Sequence, residues 1–331
     1  MFLNERIKSF SELGNRLKSL TEDDINGLAQ KAGNQNAWFT TRSVKKAFNG
    51  IAKFLDQAVL TKWLSNYELE TISSRKIGVI AAGNIPLVGF HDVMCVLLSG
   101  HKLNLKMSSD DGVLMNYVLD ELCVINAEWK NEIEVIERLN DAEAFIATGS
   151  DNSARYFKYY FKDRPNIIRA NRTSVAVLDG TEINKELSDL GNDIFEYYGL
   201  GCRNVSKVFV PEEYDFKVLL DALNDFEWVG DHHKYRNNYD YNKSIYLVNK
   251  EPHLDSGFLL MRESDQLVSP ISVLFHETYQ NQNELDQKLK SNKEKIQCTV
   301  GHDHVPFGQA QMPEVWDYAD GVDTLEFLTS F

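Results

Sequence analysis

One cysteine lies between glycines in the stretch Tyr198-Gly199-Leu200-Gly201-Cys202-Arg203-Asn204, at the mouth of the apolar run 205–211. Glycine lets a ligand approach the backbone closely, and a neighbouring arginine favours the thiolate, the form of cysteine that attacks a carbonyl carbon. Cys202 therefore reads as a nucleophile. The alternative is a small core residue at the start of a strand, since free cysteine is among the most buried residue types. Three further turns carry polar residues after short apolar runs: Gly83-Asn84-Ile85-Pro86, Lys106-Met107-Ser108-Ser109 and Thr148-Gly149-Ser150. Each is weak taken singly, because Gly-Asn and Gly-Ser turns are common.

The elements that must position these residues are legible from periodicity. Ile7, Phe10, Leu13 and Leu17, then Val44, Phe48, Ile51, Phe54 and Leu55, recur at helical spacing and predict a helical N-terminal cap over residues 1–70. From Lys76 the pattern changes to short buried-strand runs, polar turns and helices: 77–82, a helix over 90–98, 102–106, a helix over 113–125, 133–136 and 144–147. Such alternation predicts an α/β protein with a doubly wound parallel sheet. The expected division is a nucleotide-binding domain over 71–178 and an α/β catalytic domain with a C-terminal tail over 179–331. Open sheets of this kind bind ligands at the carboxyl ends of their strands, where all four turns are expected to lie. No GxGxxG dinucleotide fingerprint is present.

Composition narrows the class. The 331 residues, 43% hydrophobic and 25% charged, suffice for two packed domains. A net charge of -14 argues against nucleic-acid binding, which needs a clustered cationic excess. No apolar run approaches the ~20 residues of a membrane span, and the first twenty residues are a charged amphipathic pattern without a signal-peptide core. A cytoplasmic protein is expected. The four cysteines are widely spaced, which fits reduced thiols; Cys95, Cys123 and Cys298 lie in apolar runs and read as core. Asp110-Asp111 reads as a helix start, where carboxylates favour the dipole.

In order and spacing, from about 76 to about 308, the turns resemble the aldehyde dehydrogenase superfamily. Asn84 in GNIP matches the oxyanion asparagine of its WNFP-like motif, and Lys106 in LKMSS matches the adenosine-ribose lysine of LKPSE. Gly149 and Ser150 in FIATGS match the FTGS cofactor turn, Cys202 in GLGC the nucleophile of GQxC, and Gln266 in QLVSP the nicotinamide-ribose glutamate of EIFGP. The nearest subfamily is the long-chain acyl-CoA reductase component of bacterial luminescence systems. One departure points the same way: Arg169 stands where hydrolytic members carry the glutamate of ELGG, the base that directs water at the acyl-enzyme. The resemblance thus implies reduction of a fatty acyl thioester to an aldehyde through a cysteinyl acyl-enzyme.

It also implies a nicotinamide cofactor held by Lys106, Ser108, Ser109, Gly149, Ser150 and Gln266. Ser109, where NAD-preferring relatives often carry a carboxylate, favours NADPH over NADH. The implied partners are an acyl-CoA or acyl-carrier thioester, a second copy of the chain and an acyl-transferring enzyme. Two rival readings are a cysteine acyltransferase that uses no nicotinamide and a non-catalytic scaffold that keeps the fold. His302-Asp303-His304 would put two imidazoles on one face of an extended segment, and Asp231-His232-His233 could add to them. No third ligand follows from the spacing, so no metal is assigned and these residues read as surface or hydrogen-bonded.

Overall fold

A computed structural model describes residues 1–69, 73–138 and 141–330. The chain divides into two compact units, Met1–Asn171 with Glu314–Phe331, and Arg172–Pro313. The first begins with four helices, α1 (Leu3–Ser19), α2 (Glu22–Gln35), α3 (Thr41–Phe54) and α4 (Gln57–Leu64). Ile7, Phe10, Leu13 and Leu17 form the buried stripe of α1, and Val44, Ala47, Phe48 and Ile51 that of α3. Side chains mark the helix starts: Thr21 and Asp24 form a reciprocal capping box, Thr40 accepts from Ser43 N–H, and Asp56 accepts from Ala58 and Val59 N–H. The expected end of the helical cap at residue 70 lies outside the described residues.

The sheet of this unit is built from β1 (Lys76–Ile80), α5 (Phe90–Ser99), β2 (Lys102–Lys106), α6 (Gly112–Ile125), β3 (Ile133–Val135), β4 (Ala144–Thr148), α7 (Asp151–Tyr160) and β5 (Asn166–Arg169). All its pairings are parallel, in the order β3-β2-β1-β4-β5. Ala144, Phe145, Ile146 and Ala147 are each buried, so β4 is covered on both faces, as a strand deep in a parallel sheet must be. The strand order reverses between β1 and β4, which makes the carboxyl ends of those two strands the topological switch point.

The second unit contains β6 (Thr173–Val177), α8 (Asn184–Phe195), β7 (Val205–Pro211), α9 (Phe216–Ala222), α10 (His233–Asn249), β8 (Leu254–Asp255), β9 (Leu260–Glu263), β10 (Val273–Tyr279), α11 (Gln282–Ser291) and β11 (Ile296–Val300). Its sheet runs β11-β6-β7-β10-β9-β8, parallel except for the β8–β9 pair. No helix among the described residues is long and apolar enough to cross a membrane.

Two expected boundaries move. The first unit ends at Asn171 rather than Leu178, because Thr173–Val177 pairs with β7 and β11 of the second sheet. The tail, expected with the second unit, belongs to the first. Val315, Leu325 and Leu328 are fully buried in its core, with Tyr318 packed beside them. Trp63 Nε1 donates to Tyr318 Oη at 2.9 Å, Tyr67 Oη to Asp323 at 2.6 Å, and a ring nitrogen of His101 bonds Leu328 O at 2.8 Å. The last helix, α12 (Thr324–Thr329), thereby closes the unit that the N-terminal helices open.

Candidate active site

In the first unit, three of the four turns leave the carboxyl edge of one sheet. Asn84 follows β1, Lys106 ends β2, and Gly149 and Ser150 follow β4; β1 pairs with both β2 and β4, so the three turns are neighbours. Asn84, Lys106, Ser109 and Ser150 are exposed there. Gly83 is required by packing, since a Cβ would lie 2.5 Å from Ser108 Oγ. At Gly149 a Cβ would come within 2.8 Å of Ser153 Cβ and 3.1 Å of the Phe157 ring, which lets α7 start tight against β4. Two hydroxyls already have local work. Ser108 Oγ accepts from Asp110 N–H at 3.2 Å, and Ser150 Oγ caps α7 by accepting from Ser153 N–H at 3.2 Å. Lys106 and Ser109 add a cation and a further exposed hydroxyl to this edge, groups suited to a sugar phosphate.

Two buried side chains hold the Asn84 loop, and sequence reasoning missed both. Asn36, at the end of α2, donates from Nδ2 to Gly83 O at 3.2 Å. Asp111 accepts from Leu87 N–H at 2.7 Å. Asp111 occupies the N-cap position of α6 but makes no capping bond there. Burial pushes its carboxyl up to about 8, against the smaller opposing effect of the Leu87 N–H.

Cys202 and Gln266 belong to the second unit, and the cysteine turn sits at the opposite kind of edge from the one expected. It precedes β7 and so lies at the amino end of the parallel sheet. The approach to it is strained: Tyr197, Tyr198 and Gly199 follow one another with φ of 52°, 57° and 81°, two of them non-glycine residues in the left-handed region. Asn204, buried at 2% exposure, knots the turn. Its Oδ1 accepts from Gly201 N–H at 2.8 Å, and its Nδ2 donates to Glu196 O at 2.6 Å and, more weakly, to Asp193 O and Ile194 O. Ser174 Oγ donates to Cys202 O at 3.1 Å from β6. Cys202 is half-buried. Arg203 Nη1 is directed at Ala310 O, 3.3 Å away. Gln266 is exposed in the loop after β9, tied down where Ser206 Oγ donates to Leu267 O at 2.6 Å near the start of β7.

Other predicted residues fall elsewhere. Arg169 is 4% exposed, paired with Asp92 and donating from Nη2 to Thr324 Oγ1 at 2.9 Å, so this position is a buried clamp on the tail. Cys95 is buried, and burial pushes its thiol up. Cys123 is half-buried and packs against the core of the first unit; Cys298 is half-buried, and its Sγ lies 3.1 Å from the same Ser174 Oγ that holds Cys202 O. His302 and His304 sit in a turn rather than an extended segment. The His302 ring bonds Asp179 at 2.8 Å and Glu186 at 3.3 Å, and these bonds push it up to about 8. Asp179, Glu182 and His302 also lie within 4.8 Å of one another, a grouping that their sequence spacing hides. They occupy the carboxyl ends of β6 and β11, on the order of 15 Å of strand away from the amino end that carries Cys202.

The profile of the family described as Acyl-CoA reductase (LuxC) matches residues 17–223. Solved structures similar to this chain include an NAD-dependent aldehyde dehydrogenase from Sinorhizobium meliloti, with 11% identity and a TM-score of 0.68 over 91% of this chain and 70% of that one. An aldehyde dehydrogenase of Mycobacterium tuberculosis complexed with NAD+ aligns at 15% identity and TM-score 0.64, covering 91% and 73% of the two chains. Aldehyde dehydrogenase 21 of Physcomitrella patens, in complex with the reaction product succinate, aligns at 12% identity and TM-score 0.66, covering 92% and 74%. A search of curated protein sequences found no match.

Proposed function

The chain is an oxidoreductase of the acyl-CoA reductase (LuxC) family, and on that premise we propose that it reduces a fatty acyl thioester to the aldehyde through an acyl-enzyme on Cys202. The observation that carries the reading is the built cysteine turn. Two strained left-handed residues, a buried asparagine knot and the Ser174 bond all fix the backbone around one half-buried thiol. Strain of this kind costs roughly 1–3 kcal/mol per residue and clusters where a side chain must be held for chemistry.

In the proposed cycle the Cys202 thiolate attacks the thioester carbonyl, a C–S bond forms, and the carbonyl electrons move onto oxygen. Cys202 N–H and the Asn84 amide donate to that oxyanion. Collapse breaks the bond to the carrier sulfur, which leaves and takes up a proton. A nicotinamide cofactor, NADPH in preference to NADH, would when bound supply hydride to the acyl carbon. The tetrahedral oxyanion then held on Cys202 collapses, breaking the C–S bond to release the aldehyde and the Cys202 thiolate that began the cycle. Lys106 and Ser109 are assigned to the ribose phosphate, the Gly149 turn to close approach of the cofactor backbone, and Gln266 to the nicotinamide ribose. Ser108 and Ser150 act through the turns they brace. Since Arg169 is a buried clamp and offers no carboxylate base to activate water against the acyl-enzyme, hydride is the nucleophile that discharges the acyl group.

The test is mass spectrometry of the protein with a series of acyl-CoAs and no cofactor, followed by addition of NADPH. A single acyl adduct on Cys202, absent in Cys202→Ala and discharged as aldehyde when NADPH is added, is the expected result. An adduct that persists after NADPH but passes to another nucleophile would favour an acyltransferase instead.

A further inference from the structure

Beyond Asn84 its loop carries a long backbone bond from Val88 N–H to Ile85 O, 3.4 Å, and one from Phe90 N–H, at the start of α5, to Leu87 O, 3.0 Å. Leu87 sits within it at φ 57°, a left-handed conformation that a leucine keeps only where surrounding structure imposes it. The Phe90 bond holds the Leu87 carbonyl, and side chains from outside the loop hold the rest. Asp111 Oδ2 accepts from Leu87 N–H at 2.7 Å on one side of Asn84, and Asn36 Nδ2 donates to Gly83 O at 3.2 Å on the other. Both side chains are buried, Asp111 at 3% exposure and Asn36 at 8%.

Capping does not explain Asp111. An aspartate before a helix ordinarily accepts from the first-turn N–H groups, yet this one makes no cap bond and turns toward Leu87. Its Oδ1 is buried without a hydrogen-bond partner. A carboxyl kept out of water with one oxygen unpartnered is costly, and the bond its side chain makes is spent on the Leu87 N–H.

We propose that Asp111, seconded by Asn36, is a positioning residue that aims the Asn84 amide by fixing the backbone at Leu87 and Gly83. The proposal rests on Asn84 being the oxyanion donor.

Asp111→Asn keeps an acceptor for Leu87 N–H, whereas Asp111→Ala removes it. Measured per folded molecule with acyl-CoA and NADPH, Asp111→Ala should lose about 10- to 100-fold in kcat, the scale expected when a catalytic group is misplaced by about 1 Å. KM for both substrates should stay within about twofold, and Asp111→Asn should recover most of kcat. In an Asn84→Ala background, Asp111→Ala should cost nothing further, because two residues acting through one group are not additive. If Asp111→Ala does not fold, Asn36→Ala reports on the other strut by the same three measurements. Wild-type kcat in Asp111→Ala, equal losses in the Asn and Ala variants, or full additivity with Asn84→Ala would each overturn the positioning role. Wild-type turnover in Asn84→Ala alone would instead overturn the reading of Asn84, a separable result.

Discussion

Cys202 is proposed as the nucleophile on the strength of its own neighbours, because the glycines and the arginine that suggest it are adjacent in the chain. Asn84 is different, since its motif only marks a turn. If its amide serves the oxyanion, Asn84→Ala should lower kcat roughly 10²- to 10³-fold while cofactor affinity stays nearly constant, since the lost bond exists mainly in the transition state. Steady-state kinetics beside an unfolding curve would check this. Asp111 carries a separate expectation in stability. Its carboxyl is pushed up to about 8 in the folded protein by burial. Below its ordinary unfolded value, near 4, both states are protonated and Asp111 adds no pH dependence. As pH rises from there toward 8 the unfolded state loses its proton first, so this contribution to stability declines until the folded carboxyl also ionises. Denaturant unfolding at a series of pH values should show this fall in wild type and a flatter profile in Asp111→Asn.

In the proposed cycle turns, rather than helices or strands, carry the chemistry in both units. Each is made rigid by a different device: glycine against serine at Gly83, a serine cap at Ser150, and a buried asparagine at Asn204. Asn204 is the most demanding of these, because its amide satisfies main-chain carbonyls at the end of α8 as well as the Gly201 N–H. Asn204→Ala leaves those groups buried without partners and should destabilise the protein by about 1–3 kcal/mol. It should also slow acylation of Cys202, measured as adduct formation over time. Asn204→Asp should not rescue either property, since a carboxylate cannot donate to the Glu196 carbonyl.

The tail unites the N-terminal helices and the first sheet into one folding body. Removing residues 314–331 would uncover the sites of Val315, Leu325 and Leu328 and leave Arg169 without Thr324. At about 1.5–3 kcal/mol for each large side chain, the loss is comparable with the 5–15 kcal/mol that stabilises a typical domain. The truncated protein should therefore lose the first unit selectively. Limited proteolysis should digest residues 1–171 while a fragment near 172–313 persists, and equal survival of both would show that the tail contributes little.

What could be read from sequence is what neighbouring residues encode. The helical period in α1 and α3, the alternation of strand and helix, and the glycine-flanked cysteine turn are all local patterns, and the first two lead to an α/β fold with parallel sheets. Periodicity says which face of an element is apolar, but not which element will cover it. Pairing therefore decided the rest: that 173–177 joins the second sheet, that the tail returns to the first unit, and that Cys202 lies at an amino rather than a carboxyl edge. The same holds for Asp111 with Leu87, Arg169 with Asp92 and Thr324, and His302 with Asp179. Those partners are far apart along the chain and meet only because long-range packing closes the intervening loops, a cost that burial of the shared core repays.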